Sequence, residues 1–209
     1  MNHKRLLALA LIAVILSGCA VMSAEECTYS DWTAVGYEDG AQGRTSDRFG
    51  DYRRACADHG ITPDFQAWQS GRDQGLVEYC QPSRGFQVGQ SGGNYNGVCG
   101  AALEPDFLAA YQMGARLFSL RRELNDVISR VDANARARER IDSRVDEIEA
   151  RIILDETSQE ERARLLNEMR ELSEDRGELD TEADLLIQAR TFAEMELTTF
   201  ENSLIQQGF

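Results

Sequence analysis

Lysine is nearly absent from this chain of 209 residues: Lys4 is the only one, and every other basic residue except two histidines is arginine. Lys and Arg together number 22 against 36 Asp and Glu, for a formal net charge of −14. So acidic a chain lacks the cations that neutralise phosphates, which excludes general nucleic-acid binding and disfavours docking on anionic lipid. Proline is scarce too, with three residues against seventeen glycines, so no collagen-like or Pro-rich architecture is available. Aromatics make up only 8%, yet the apolar set reaches 42%, too high for a wholly disordered chain. No Cys-x-x-Cys occurs, so neither a zinc ribbon nor a thioredoxin-type pair is supported, and no metal or cofactor is expected. No Gly-x-Ser-x-Gly elbow surrounds any serine. Beyond the N-terminal segment His59 is the sole histidine, three residues from Cys56. A Cys-His nucleophile there is the weakest of the readings, and the expectation is that the protein is not an enzyme.

What is present starts with an address. His3-Lys4-Arg5 form a positive region, and Leu6 to Leu16 are apolar throughout, too short to span a bilayer. Leu16-Ser17-Gly18-Cys19 follows and resembles the lipobox of bacterial lipoproteins. The resemblance implies a signal peptide over 1–18, cleavage before Cys19, diacylglycerol on its sulfur and acylation of its amine. Three acyl chains, at about 0.8 kcal/mol per buried methylene, hold a protein firmly on a membrane. By the usual sorting rule Ala20 directs such a protein to the outer membrane, facing the periplasm. The competing reading is a plain secretory signal cut near Ala20 or Ala24. Loss of Lys4 and Arg5 takes the charge from −14 to −16. Residues 19–26 then form a lipid-anchored linker.

Four cysteines remain, Cys27, Cys56, Cys80 and Cys99. An even count in an oxidising compartment reads as two disulfides. If helices near 29–43 and 46–58 form a hairpin, Cys27 comes close to Cys56, and Cys80 pairs with Cys99 across the following loop.

Composition divides the rest into a head over 27–114, rich in glycine and aromatics, and an arm over 115–209, dense in charge and without proline or cysteine. In the head a phrase recurs: Trp68-Gln69-Ser70-Gly71, Phe86-Gln87-Val88-Gly89 and Tyr111-Gln112-Met113-Gly114, with Trp32 to Gly36 a looser copy. Glycines also stand four apart, at Gly36/Gly40, Gly71/Gly75 and Gly89/Gly93. Such phrases fit β-hairpins turning at Asp39-Gly40, or helices that touch through glycine stripes. The last copy runs directly into a helical pattern, which favours helices. Each interior glycine costs a helix about 1 kcal/mol relative to Ala, and close backbone approach is the simplest compensation. Helices are expected near 29–43, 46–58, 63–79 and 83–92, the third capped by Thr62.

Cys27, Asp31-Trp32, Gly36-Tyr37-Glu38-Asp39-Gly40, Cys56, Gly75-Leu76, Tyr79-Cys80 and the run from Tyr95 to Cys99 together resemble an uncharacterised family of proteobacterial envelope lipoproteins, domain of unknown function two-seven-nine-nine. The resemblance spans roughly 27–120 and implies a periplasmic setting. It supplies no activity.

In the arm, Leu117, Leu120, Leu124, Val127 and Val131, then Ile141, Val145, Ile148 and Ile152, fall on alternating steps of three and four. That is a heptad seam, broken at Asn134 and Arg138. Ser158 and Glu161 fit a capping box for a second helix, which repeats the rhythm from Leu165 to Leu204 and is interrupted at Arg176 and Arg190. The fold class is therefore all-α: a small disulfide-bonded helical head and a long antiparallel coiled-coil hairpin. With the turn near Glu156-Thr157, Arg138 faces Arg176 and Asn134 faces Leu179. A polar layer results, neutralised from among Asp142, Asp175, Glu178 and Asp180.

Trp32 and Trp68 stand beside Glu38, Asp39 and Asp73 in sequence. Indoles stack on sugars and glycosidases use paired carboxylates, so these five are candidate glycan-binding residues. The plainer reading is buried aromatics and a solvated acidic face. The expected function is a structural or interaction protein of the envelope, with a protein partner on the coiled coil. The alternative is a head that binds peptidoglycan or another glycan, and a hydrolase has least support.

Overall fold

The computed structural model describes residues 22–209, and Cys19 with the rest of the expected signal lies outside them. Among the described residues the chain is helical, with no strand. In order the helices are α1 (Ala24–Tyr29), α2 (Trp32–Ala41), α3 (Arg48–Ala57), α4 (Phe65–Tyr79), α5 (Pro82–Gln90), α6 (Glu104–Ile152) and α7 (Gln159–Gln207). The chain divides into two compact units, one ending at Gly114 and one over Ala115–Phe209.

Local chemistry places the helix starts. Ser23 caps α1 through a complete capping box: its Oγ accepts from Glu26 N, and the Glu26 carboxylate accepts from Ser23 N at 2.7 Å. These bonds hold the Glu26 carboxyl below its ordinary range. The expected linker over 19–26 thus already contains the start of a helix. The Asp31 carboxylate, accepting from Thr33 N and Ala34 N, ends the run after α1 and starts α2, so 29–43 is not one helix. Asp64, not Thr62, caps α4, because its carboxylate reaches Ala67 N at 3.0 Å. Asp caps better than Thr, and Asp64 stands directly before the first helical residue, Phe65.

Helix α2 packs along α4 through the glycine stripes. A Cβ at Gly36 or Gly40 would run into the carbonyls of Trp68 or Arg72, and one at Gly71 or Gly75 into those of Thr33 or Tyr37, each nearer than 3.0 Å. The fit is reciprocal, so the four glycines interlock two backbones. The same device recurs between α5 and the first turns of α6: Gly85 meets Phe107 O and Gly114 meets Phe86 O. The four aromatic-glycine phrases are therefore two pairs of facing helices. Helices win over hairpins because only a missing Cβ allows this approach.

Two small cores result, each with one disulfide in it. Met22, Cys27, Trp32, Tyr52, Cys56 and Trp68 form the first, with Cys27 bonded to Cys56. Leu76, Tyr79, Cys80, Cys99 and Phe107 form the second, with Cys80 bonded to Cys99. This pairing is the one expected for the head. In a unit this small, with so many glycines, the two bonds add stability by restricting the unfolded chain.

The second unit is a hairpin of α7 and the part of α6 beyond Gly114; each whole helix is 49 residues long. Arg121 pairs with Glu201, Arg130 with Glu182, Arg144 with Glu168 and Arg151 with Glu161, so the numbers fall on one helix as they rise on the other. Leu117, Leu120, Val127, Ile148, Leu186, Ala193 and Leu204 are the buried members of the seam. At the turn the Thr157 hydroxyl donates to Arg151 O at 2.7 Å, and Arg162 donates to Leu154 O. Ser158 caps α7 by accepting from Glu161 N. The expected capping box is only half made, because the Glu161 carboxylate turns to Arg151 instead.

The seam's break is a polar layer. Asn134, 5% exposed, donates from Nδ2 to Leu179 O at 2.9 Å and to Glu182 Oε2 at 3.1 Å. Arg138 Nε lies 3.0 Å from Asp180 Oδ1 as an ion pair without the alignment of a hydrogen bond. Arg176 reaches Asp142 at 3.0 Å and also Asp180. Of the four carboxylates within reach, Asp142 and Asp180 do the neutralising.

Candidate functional site

The five residues chosen from sequence separate in the structure. Trp32 and Trp68 are core residues, 9% and 1% exposed, and no indole face is left for a sugar. Asp39 is buried, while Glu38 and Asp73 lie exposed on the outer sides of α2 and α4. Asp39 and Trp68 do come together, but as a structural node. The Trp68 Nε1 donates to Asp39 Oδ2 at 2.9 Å, and the Tyr52 hydroxyl donates to Asp39 Oδ1 at 3.1 Å. Arg48 Nε in turn donates to the Tyr52 hydroxyl at 3.2 Å. One carboxylate thereby ties α2 to α3 and α4. Burial pushes the Tyr52 hydroxyl above its ordinary value, against the opposing pull of Arg48. Every polar atom of the node has a partner, which is what a low-dielectric interior demands. No catalytic pair of carboxylates is formed.

Next to this node lies a groove of about 1000 Å³ along the α2–α3 connection and the start of α3. Arg44, Arg48, Arg53 and Arg54 line it, with Asp47 and Asp51 the opposing charges. Arg48 and Arg54 both pair with Asp51. The Arg44 guanidinium bonds only the neutral Gln42 Oε1, at 3.3 Å, and Arg53 makes no hydrogen bond or ion pair among the described residues. Phe65 forms part of the wall and keeps 49% of its surface open. It is held edge-on to Phe49, which in turn packs on Trp68. The initial candidates missed these residues. The signal was four arginines within eleven positions of an otherwise acidic segment, hidden by the net charge.

Residues 31–116 match the family model described as a protein of unknown function (DUF2799). That stretch is similar to the family, and the rest of the chain lies outside the match. The match covers the node, the groove, the glycine-paired helices and the second disulfide, and ends where α6 enters the hairpin. It supplies a likeness and no activity. Neither the curated proteins nor the solved structures give a match.

Outside the matched residues, α7 changes character half-way. Leu185, Gln188, Phe192, Met195, Thr199 and Asn202 repeat at steps of three and four on the side opposite its seam, and none is charged. Leu185, Phe192 and Met195 are 62%, 56% and 57% exposed. The same positions nearer the turn carry Glu171, Glu174 and Glu178. A shallow groove of about 450 Å³ continues from Phe192 and Met195 onto Arg116 and Leu120 of α6. Among the described residues no group of His, Cys, Asp and Glu is arranged to hold a metal, and no helix is long and apolar enough to cross a membrane.

Proposed function

We propose that the protein is a structural and interaction protein of the bacterial outer membrane, anchored by acyl chains on Cys19, with the hairpin as its interaction arm. The uncharged outer face of α7 carries this reading. A solvated coiled-coil exterior has charge at such positions, as the first half of α7 does. Its second half instead offers a second heptad stripe, which suits a helix of an envelope protein laid alongside it. The anchor itself rests on the lipobox residues Leu16 to Cys19.

A photo-activated cross-linking residue at Met195 in living cells tests the arm. The expected result is one discrete product containing a second protein, and its loss when Phe192→Glu is added. Absence of any product, or a product indifferent to Phe192→Glu, removes the proposal. A product of twice the chain mass would assign the face to self-association instead. For the anchor, labelled palmitate should enter the wild-type chain and not Cys19→Ser. Label persisting in Cys19→Ser would overturn it.

A further inference from the structure

The arginine groove of the head is independent of the arm and unexplained by it. Arg44, Arg48, Arg53, Arg54, Arg72 and Arg84 are all the arginines between residues 22 and 114, where lysine is absent. Four of the six line one groove in a unit that is otherwise acidic. Packing does not require that. The Arg48 guanidinium is spoken for by Tyr52 and Asp51, and it lies over the Tyr52 ring, 5.0 Å from its centroid. Arg53 and Arg44 have no carboxylate, although the chain has acidic residues to spare. Two guanidinium forks left unneutralised at one place suit a ligand that brings its own anionic oxygens, because Arg matches planar carboxylates two bonds at a time.

The other wall narrows the ligand class. The half-open Phe65 ring is fixed by Phe49 and offers a rigid apolar face, and Thr45, Ser46 and Asn96 add neutral hydrogen-bonding groups. A bare phosphate or metal-bound anion has no use for an aromatic face. A sugar ring does, and a volume of about 1000 Å³ accepts more than one. We propose that this groove binds a carboxylate-bearing glycan, with Arg44 and Arg53 taking carboxylates and Phe65 taking a sugar face. In the envelope, peptidoglycan with its stem-peptide carboxylates has that chemistry. Trp32, Trp68 and the carboxylates near them in sequence take no part; the site lies on the outside of the core they build.

The test uses the mature chain from residue 20, without acyl groups, and purified peptidoglycan sacculi. The wild type should sediment with sacculi, and Arg44→Gln with Arg53→Gln should weaken retention at least tenfold. Phe65→Ser should weaken it as well. All three side chains are substantially exposed, and an unchanged melting temperature shows that each variant has folded. Sacculi whose carboxylates have been amidated should lose the wild type. Failure of the wild type to bind, indifference to the arginine pair, or equal retention on amidated sacculi overturns the proposal. Binding that ignores Phe65 and transfers to phosphatidylglycerol vesicles assigns the groove to lipid headgroups instead and overturns it equally.

Discussion

Asp39 is the residue on which the first core turns. It accepts from Trp68 Nε1 and the Tyr52 hydroxyl, both buried. Asp39→Ala strands these two donors, and each unsatisfied buried group costs about 1–3 kcal/mol. The chemical denaturation midpoint should fall accordingly, and adding Tyr52→Phe should recover part of the loss by removing one stranded donor. A midpoint unchanged by Asp39→Ala would refute the node. The buried phenols make a second prediction. Burial raises the pKa of Tyr52, Tyr79 and Tyr95. A raised pKa favours the protonated phenol in the folded chain, so the stability it gives is complete below the ordinary value of about 10 and drains away as pH climbs past the folded values. Absorbance at 295 nm should show these three titrating above the ordinary value, together with loss of helix. Titration of all three at the ordinary value would contradict this. At this scale the sequence misled for a clear reason. A tryptophan beside a carboxylate looks alike whether the indole faces a ligand or a core, and only the partner helix decides.

At the scale of elements the glycines make the sharpest prediction. Gly71→Ala forces a methyl onto the Thr33 carbonyl, so α2 and α4 must separate, at a cost of about 1–3 kcal/mol beyond any propensity gain. Gly177→Ala in α7 meets open space and should stabilise by about 1 kcal/mol. Thermal melts of both variants check the contrast, and equal signs would sink the close-approach argument. In the hairpin, leucine at both Arg138 and Arg176 removes a layer of charge that the seam encloses only partly. The pair is expected to raise the melting temperature while loosening register, since replacing ionic layers with apolar ones is often neutral or stabilising by 1–4 kcal/mol. Disulfide trapping between Asn134 and Leu179 positions would then fall from one product to several. An unfolded arm would refute this. The hairpin was legible because its 3- and 4-residue steps recur from Leu117 to Leu204, and Asn134, Arg138 and Arg176 are visible as breaks in them. The head was legible in kind and not in detail. The capping box of Ser23 and Glu26 has the same spacing as Ser158 and Glu161, yet the expected linker masked it. The groove was invisible to any argument from net charge, because Arg44 to Arg54 are outnumbered by acids elsewhere.

For the whole molecule, two units with different sources of stability should respond differently to reductant. The Cys27–Cys56 and Cys80–Cys99 bonds close loops with sequence separations of 29 and 19, each worth about 3 kcal/mol in the chain-entropy account. The hairpin unit has no cysteine. Reduction should therefore abolish near-ultraviolet circular dichroism from Trp32 and Trp68 while most far-ultraviolet helix signal persists. Parallel loss of both would show that the hairpin depends on the head.

Met22 has a further consequence. It is 8% exposed and packs into the first core, only three residues after Cys19. A fully extended chain covers at most about 3.6 Å per residue, so a leash of three residues reaches about 11 Å. Were Cys19 acylated as proposed, Met22 would stay within about 11 Å of the anchor. Ten or more flexible residues inserted between Cys19 and Met22 would release the head without touching any of its contacts. Function lost on that insertion alone would mark distance from the membrane, not any side chain, as the quantity the short leash controls.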